Sequence, residues 1–256
     1  MRIRININAD MGEGFGIYDI GNDAALLEIV KSANVACGFH AGDPTIMRRV
    51  VEMAAERGVS VGAHPGFLDL WGFGRRRIEM NPRDLENSIA YQIGALNAIA
   101  CYAGIKVTHV KPHGSLSNMA ATNADYALAI GRGIKTVDPS LRYLAIAGSE
   151  MEKAADKLGL PVVREAFIDR EYESDGSLVS RKIPGAVIKD PQKAAERVVP
   201  MVHERTIISR EGKSMPTDFH SLCIHGDEAT AVPVALACRK ALEASGVQIV
   251  TIPEMV

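Results

Sequence analysis

Aromatic side chains are scarce in this chain: Phe, Trp and Tyr make up 5% of 256 residues, with a single Trp. A supply that thin argues against a stacking platform for single-stranded nucleic acid. Cysteine is sparse too. Cys37, Cys101, Cys223 and Cys238 stand far apart with no CxxC pair, which reads as reduced thiols of a cytoplasmic protein. No apolar run approaches the ~20 residues needed to cross a bilayer. The start, MRIRININAD, alternates as a strand does and lacks the apolar block of a signal peptide. Net charge is only −2, so nothing marks a polyanion partner.

Familiar catalytic signatures are missing as well. There is no GxxxxGK[ST] phosphate loop; GRGIKT at 131–136 lacks the glycine that should directly precede Lys135. No GxSxG elbow and no HExxH helix occur, and no dinucleotide fingerprint follows the first strand. Any metal site must therefore be assembled from several separate segments.

What is present is a rhythm. Period-2 segments at 2–10, 32–39, 59–66, 107–114, 141–148, 160–167, 221–227 and 247–252 read as strands. Helical patterns fill most gaps, at 22–31, 43–58, 81–104, 122–136, 149–158, 191–209 and from Asp227 to about 245. The cap signals are Asn22, Asp43 before Pro44, and Asp227. The segment 170–181 reads as a hairpin-like excursion turning at Asp175-Gly176. Seven or eight β-α units in one domain over 1–256 imply a parallel sheet, closed as a barrel or open and doubly wound. Either arrangement places ligands at the C-terminal ends of the strands.

Those ends carry the chemistry. NADMGEGFG supplies Asn8, Asp10 and Glu13; ACGFHAGD supplies His40 and Asp43; GAHPG supplies His64. HVKPHG supplies Lys111 and His113, and IHGD supplies His225 and Asp227. Five of the seven histidines lie in or beside these ends. Each residue alone has a plain structural explanation: Asp43 and Asp227 as caps, His109 as a core or supporting group, His203 and His220 as structural. Cys37 lies in an apolar run and reads as packing. Five strand ends agreeing outweigh the separate explanations, and the set suggests an enzyme. Carboxylates with imidazoles suit metal-assisted hydrolysis or metal-free acid–base catalysis. Arg75 and Arg76 are further candidates to grip an anionic substrate, while Arg77 reads as a solvated charge.

At these same residues the chain resembles the LamB/YcsF family, the family of the A component of 5-oxoprolinase, once called lactam utilisation protein. NADMGEGFG, SANVACGFHAGDP, GAHPGFLDLWGFGRR, YQIGAL, HVKPHGSL, DGSLVSR and IHGD carry the likeness from residue 6 to 227. The resemblance implies a (β/α) barrel of seven or eight strands related to glycoside hydrolase and deacetylase barrels. It implies ATP-dependent opening of the 5-oxoproline lactam to L-glutamate. ATP with Mg²⁺ would be bound together with partner subunits B and C. The expected catalytic set is Asp10, Glu13, His40, His64, Lys111 and His113, with Asn8, Asp43, Arg75, Arg76, His225 and Asp227 binding substrate. A divalent metal, if present, would sit on Asp10, His64 and His113. Two alternatives stand beside this: a metal-dependent, deacetylase-like hydrolase of carbohydrates or amides, and a non-catalytic regulatory subunit. Departures from the family pattern are Ser115 for alanine, Ser117 for tyrosine and Ser180 for proline; they bear on substrate more than on fold.

Overall fold

The computed structural model describes residues 2–227 and 229–255. In chain order the elements are β1 (Arg4–Met11), α1 (Asp23–Leu27), β2 (Ser32–Ala36), α2 (Pro44–Glu56), β3 (Ser60–His64), α3 (Pro82–Ala100) and β4 (His109–Val110). There follow α4 (Gly114–Thr122), α5 (Ala124–Val137), β5 (Arg142–Ile146), α6 (Glu150–Leu158), β6 (Val162–Phe167) and α7 (Pro191–Glu204). The chain ends with β7 (Thr206–Ile208), β8 (Ser214–Pro216), β9 (Ser221–Ile224), α8 (Ala231–Ala244), β10 (Gln248–Ile249) and α9 (Ile252–Met255).

The sheet closes. Parallel strands run β1-β2-β3-β4-β5-β6-β9, and β9 pairs back onto β1. Closure leaves seven strands in the ring with helices around it. The eighth expected strand, β10, does not enter the ring as an equal member. It pairs only with the start of β1, on the edge β2 takes further along: Gln248 and Val250 N–H donate to Ile3 and Ile5 C=O, then Lys31 N–H to Ile7 C=O.

Alternation along the strands sorts the residues. Ile5, Ile7, Ala9 and Met11 of β1 face the helices, as do Ala33, Val35, Val61, Ala63, Val110, Tyr143 and Leu222; all are buried. The opposite face fills the lumen, and it is polar. Asn6, Asn8 and Asp10 meet Ser32 and Asn34 of β2, His109 of β4, Glu165 of β6 and Ser221 of β9. Asn6 Nδ2 donates to Ser32 Oγ and to Val250 C=O, and Asn8 Nδ2 to Glu165 Oε1 and Ser221 Oγ. Leu144, Val163 and Ile252 form a separate apolar plug. A buried polar lumen is tolerable because these groups find partners in one another.

Several sequence expectations change in detail. The helix expected over 22–31 ends at Leu27, and Asn22 makes no side-chain cap; Lys31 N–H already belongs to the sheet. Asp43 caps α2 as expected, accepting from Thr45 and Ile46 N–H. Asp227 does not cap: α8 starts at Ala231 with Thr230 before it, and Glu228 lies outside the described residues. The helix expected over 191–209 stops at Glu204 because Arg205 turns left-handed (φ 52°). The antiparallel β7–β8 pair follows. Within 170–181, Tyr172 bridges Leu178 antiparallel across Gly176. α4, unforeseen, begins at Gly114.

His109 shows how tightly the lumen is packed. Its Nε2 meets Asn34 Oδ1 at 2.9 Å and its Nδ1 meets Thr108 Oγ1 at 2.8 Å. The ring lies over Gly62, where an added Cβ would fall 2.2 Å from Nε2. Gly62→Ala should therefore destabilise the fold by roughly 1–3 kcal/mol or more, the usual cost of overpacking. Urea unfolding checks this, and an unchanged midpoint would contradict it.

Candidate active site

The stretch VKPHG shows how local backbone builds the site. β4 is only two residues long, yet the extended path continues through the proline. Lys111 N–H donates to Ala63 C=O and His113 N–H to Pro65 C=O. His109, Lys111 and His113 therefore lie on one face, stepped from the lumen toward the mouth. Gly114 then turns left-handed (φ 53°) and opens α4.

Lys111 is the centre of the lower half. Its ammonium is 2.9 Å from Asp10 Oδ1, 3.3 Å from Glu165 Oε1, 3.3 Å from Asn8 Oδ1 and 2.9 Å from Cys223 Sγ. The side chain is 6% exposed. Burial alone would favour a neutral amine, but Asp10 and Glu165 hold its pKa well above the ordinary lysine value. Burial likewise pushes Asp10 up, and the charges of His64 and Lys111 outweigh it, leaving Asp10 well below the usual carboxylate range. Glu165 remains raised by burial in spite of Lys111.

The upper half is imidazole and carboxylate. Glu13 Oε1 lies 3.1 Å from His40 Nε2, 3.3 Å from His113 Nδ1 and 3.9 Å from His64 Nε2. His113 Nδ1 is 3.0 Å from His64 Nε2, and His64 Nε2 is 3.4 Å from Asp10 Oδ2. The rings of His40 and His113 stack at 3.6 Å. Burial, reinforced by the charges of Asp10 and Asp227, raises Glu13 well above its ordinary value. Burial lowers His40 and His113 well below theirs, so both stay neutral near pH 7.

Phe73 clamps this half from above. It sits at φ 53°, a left-handed conformation unusual for a bulky residue. Its C=O accepts from His113 Nε2 at 2.8 Å, and its ring meets His40 and His113 edge-on. Arg75 lies over the same ring, 4.9 Å from its centre, and pairs with Asp227 at 2.6 Å. A cleft of ≈ 260 Å³ opens here, lined by Glu13, His40, Phe73, Trp71, Leu70, Ile20, Phe15 and Ala41. That is below the ~300–1,000 Å³ of drug-sized pockets, which suits a small ligand.

The structure thus gathers Asp10, Glu13, His40, His64, Lys111 and His113 into one buried cluster, with Arg75 and Asp227 at its edge. His225 reaches the cluster beside Asp10 and Cys223, their ligand atoms lying within 4.8 Å of one another; its Nδ1 is 2.9 Å from Asp169 and its ring stacks on Phe167. Three residues expected to bind substrate are committed elsewhere. Asn8 is fully buried with both amide atoms engaged in the lumen. Asp43 spends its carboxylate on Gly16, Thr45 and Ile46 N–H groups. Arg76 is held by buried Asp69 through its Nε at 2.7 Å and its terminal nitrogen. Of the expected metal set, His64 Nε2 lies 3.4 Å from Asp10 Oδ2 and 3.0 Å from His113 Nδ1; among the described residues, ligand atoms all within 4.8 Å of one another belong to Glu13, His40, His64 and His113, and separately to Asp10, Cys223 and His225. Cys37 is buried packing, its thiol pushed up to about 12.

Sequence patterns alone did not point to Asn34, Glu165, Cys223, Asp169 or Phe73. Glu165 did carry a signal, a lone carboxylate on an inward-alternating position of VVREAF. For Phe73 the sequence held none, since its role is a backbone carbonyl and a φ angle.

Residues 5–256 match the LamB/YcsF family. The chain belongs to that family. It is 54% identical over 246 residues to a protein of Bradyrhizobium diazoefficiens named as a second A component of 5-oxoprolinase, covering 96% of each chain. It is similar to the crystal structure of a lactam utilization protein from Thermus thermophilus, with a TM-score of 0.93 and 41% identity. That match covers 98% of this chain and 100% of the other. A peptidoglycan deacetylase, PdaC from Bacillus subtilis, shares the barrel at a TM-score of 0.51 and 14% identity, over 99% of this chain and 90% of its own. That likeness speaks for the fold alone.

Two outcomes follow from the buried charges. Lys111→Met leaves Asp10 and Glu165 without a cation and should cost roughly 3–5 kcal/mol; denaturant unfolding at neutral pH measures it. Burial lowers His109 to about 3 from an ordinary 6.5. A neutral buried imidazole contributes stability that is complete above pH 6.5 and is lost as pH falls from 6.5 toward 3. His109→Gln should therefore lose less stability than the parent between about pH 7 and about pH 5. Equal losses would contradict this.

Proposed function

We propose that this chain acts as the A component of a 5-oxoprolinase, opening the 5-oxoproline lactam to L-glutamate in an ATP-dependent reaction. The observation that carries the reading is the convergence of two carboxylates, three imidazoles and a lysine, all buried, beneath a small cleft at the barrel mouth. The name of the 54% identical relative points the same way.

In this reading Glu13, His40, His64 and His113 form the polar floor on which the lactam is held and its carbonyl polarised. Lys111 offsets negative charge as the carbonyl carbon becomes tetrahedral. Asp10 anchors Lys111 and His64 in register. Arg75, paired with Asp227 at the rim, meets the substrate carboxylate. ATP and Mg²⁺ act with partner subunits B and C, in keeping with a chain that carries no phosphate loop of its own. Cytoplasmic residence fits four cysteines that are all free thiols and the absence, among the described residues, of a helix long and apolar enough to cross a membrane.

The test is glutamate formation from 5-oxoproline and ATP, using this chain with and without subunits B and C. Asp10→Asn should cost roughly 10²–10³ in rate, the scale of losing one preorganised electrostatic element. Full activity in both Asp10→Asn and Lys111→Met would overturn the assignment.

A further inference from the structure

We infer, on the 5-oxoprolinase reading above, that the two loops at the barrel mouth, 15–20 and 68–71, seat the ATP-bearing assembly of partner subunits B and C, with Trp71 as the anchor. The first loop follows β1 and the second follows β3, so both stand at the C-terminal ends of the strands. Trp71 is 96% exposed, Ile17 92%, Tyr18 70% and Leu68 69%. Phe15 and Leu70 are exposed to a lesser degree and, with Trp71, line the cleft. Together these six side chains offer water roughly 700 Å² of mostly apolar surface. The largest apolar patch on an ordinary monomer is about 300–600 Å², and one side of a standard interface is about 800 Å². Apolar surface on this scale belongs under a partner.

Both loops are braced. Phe15 and Tyr18 exchange backbone hydrogen bonds, and Gly16 N–H donates to Asp43 Oδ2 at 2.8 Å. Buried Asp69 accepts from Gly72 N–H at 3.0 Å and from Arg76 Nε at 2.7 Å. Side chains held out on a fixed backbone lose little further freedom on binding. Charged groups border them: Asp19 lies 3.6 Å from Arg49 beside the first loop, and exposed Arg76 and Arg77 follow the second. An apolar centre with a large aromatic and a charged border is the make-up of a protein-binding site.

The cleft says which protein. At ≈ 260 Å³ it is smaller than the ~300–1,000 Å³ of drug-sized pockets, so it suits a lactam and not a nucleoside triphosphate beside it. Among the described residues its lining holds no lysine or arginine to meet phosphates, and the sequence carries no phosphate loop. ATP therefore reaches the lactam from a second protein seated over the mouth. A second copy of this chain would close two mouths against each other and bring no ATP. Docked on both loops, the partner also shuts the cleft from water.

The test uses this chain with purified subunits B and C. Glutamate formation gives the concentration of B and C at half-saturation, and interferometry gives binding without substrate. Tyr18→Ser and Leu68→Ser, which do not line the cleft, should each raise the half-saturating concentration at least about 10-fold, with the rate at saturation kept. Trp71→Ser, read by binding alone, should lose at least about 30-fold in affinity, the scale of an aromatic hot spot. Tyr102→Ser, an exposed aromatic between α3 and the start of β4, should change neither. Unchanged half-saturation in the Tyr18 and Leu68 variants of an active enzyme would overturn the docking surface and leave the 5-oxoprolinase reading standing. A parent that makes no glutamate with B and C would overturn that reading and the docking surface with it. Sedimentation of the chain alone supplies the remaining outcome: a dimer in the parent that becomes a monomer in Trp71→Ser would assign the patch to a second copy and overturn the inference. The substituted side chains face water, and equal urea midpoints separate lost docking from lost folding.

Discussion

An ammonium group sealed inside a protein must be answered by charge, and here Asp10 of β1 and Glu165 of β6 answer Lys111. The rest of the lumen is arranged around that demand. Asn8 and Asn34 fill the remaining acceptor and donor positions, and His109 stays neutral to avoid adding a second positive charge. Removing water from such a group costs several kcal/mol, recovered only through good geometry. The strands that carry these residues are thereby tied to one another across the barrel as well as along its wall.

Closure and polarity support each other. A seven-membered parallel ring leaves little room inside, so lumen residues must be small or fully engaged. Gly62 makes space for His109, and the serines and asparagines of β1, β2 and β9 bond across the interior. The apolar work is done outside the ring, where Ile, Val and Ala on alternate positions meet the helices. β10 and α9 seal the bottom, with Ile252 against Leu144 and Val163.

Much of this was legible in the sequence. RININAD displays its two faces openly, and the strand-end carboxylates and histidines stood out because glycines flank them. The alternation also showed seven or eight β-α units, although alternation alone fits a closed ring and an open sheet equally well. Boundaries were harder to read where long-range bonds decide them, as at Lys31 and at β4, whose extension past Pro112 depends on β3. Asp227 read as a cap because aspartate before a helix usually is one; its partner, Arg75, is 152 residues away in sequence. Asn8 and Arg76 carried the right chemistry for a ligand, and only three dimensions reveal that other residues already occupy them.

Phe73 ties two kinds of information together. Its carbonyl fixes which nitrogen of His113 is protonated, and its ring packs on both stacked histidines. The loop that bears it also carries Trp71, which is 96% exposed. A surface segment therefore sets the tautomer of a buried imidazole. The proton position on His113 is thus set by a loop outside the barrel's strands and helices.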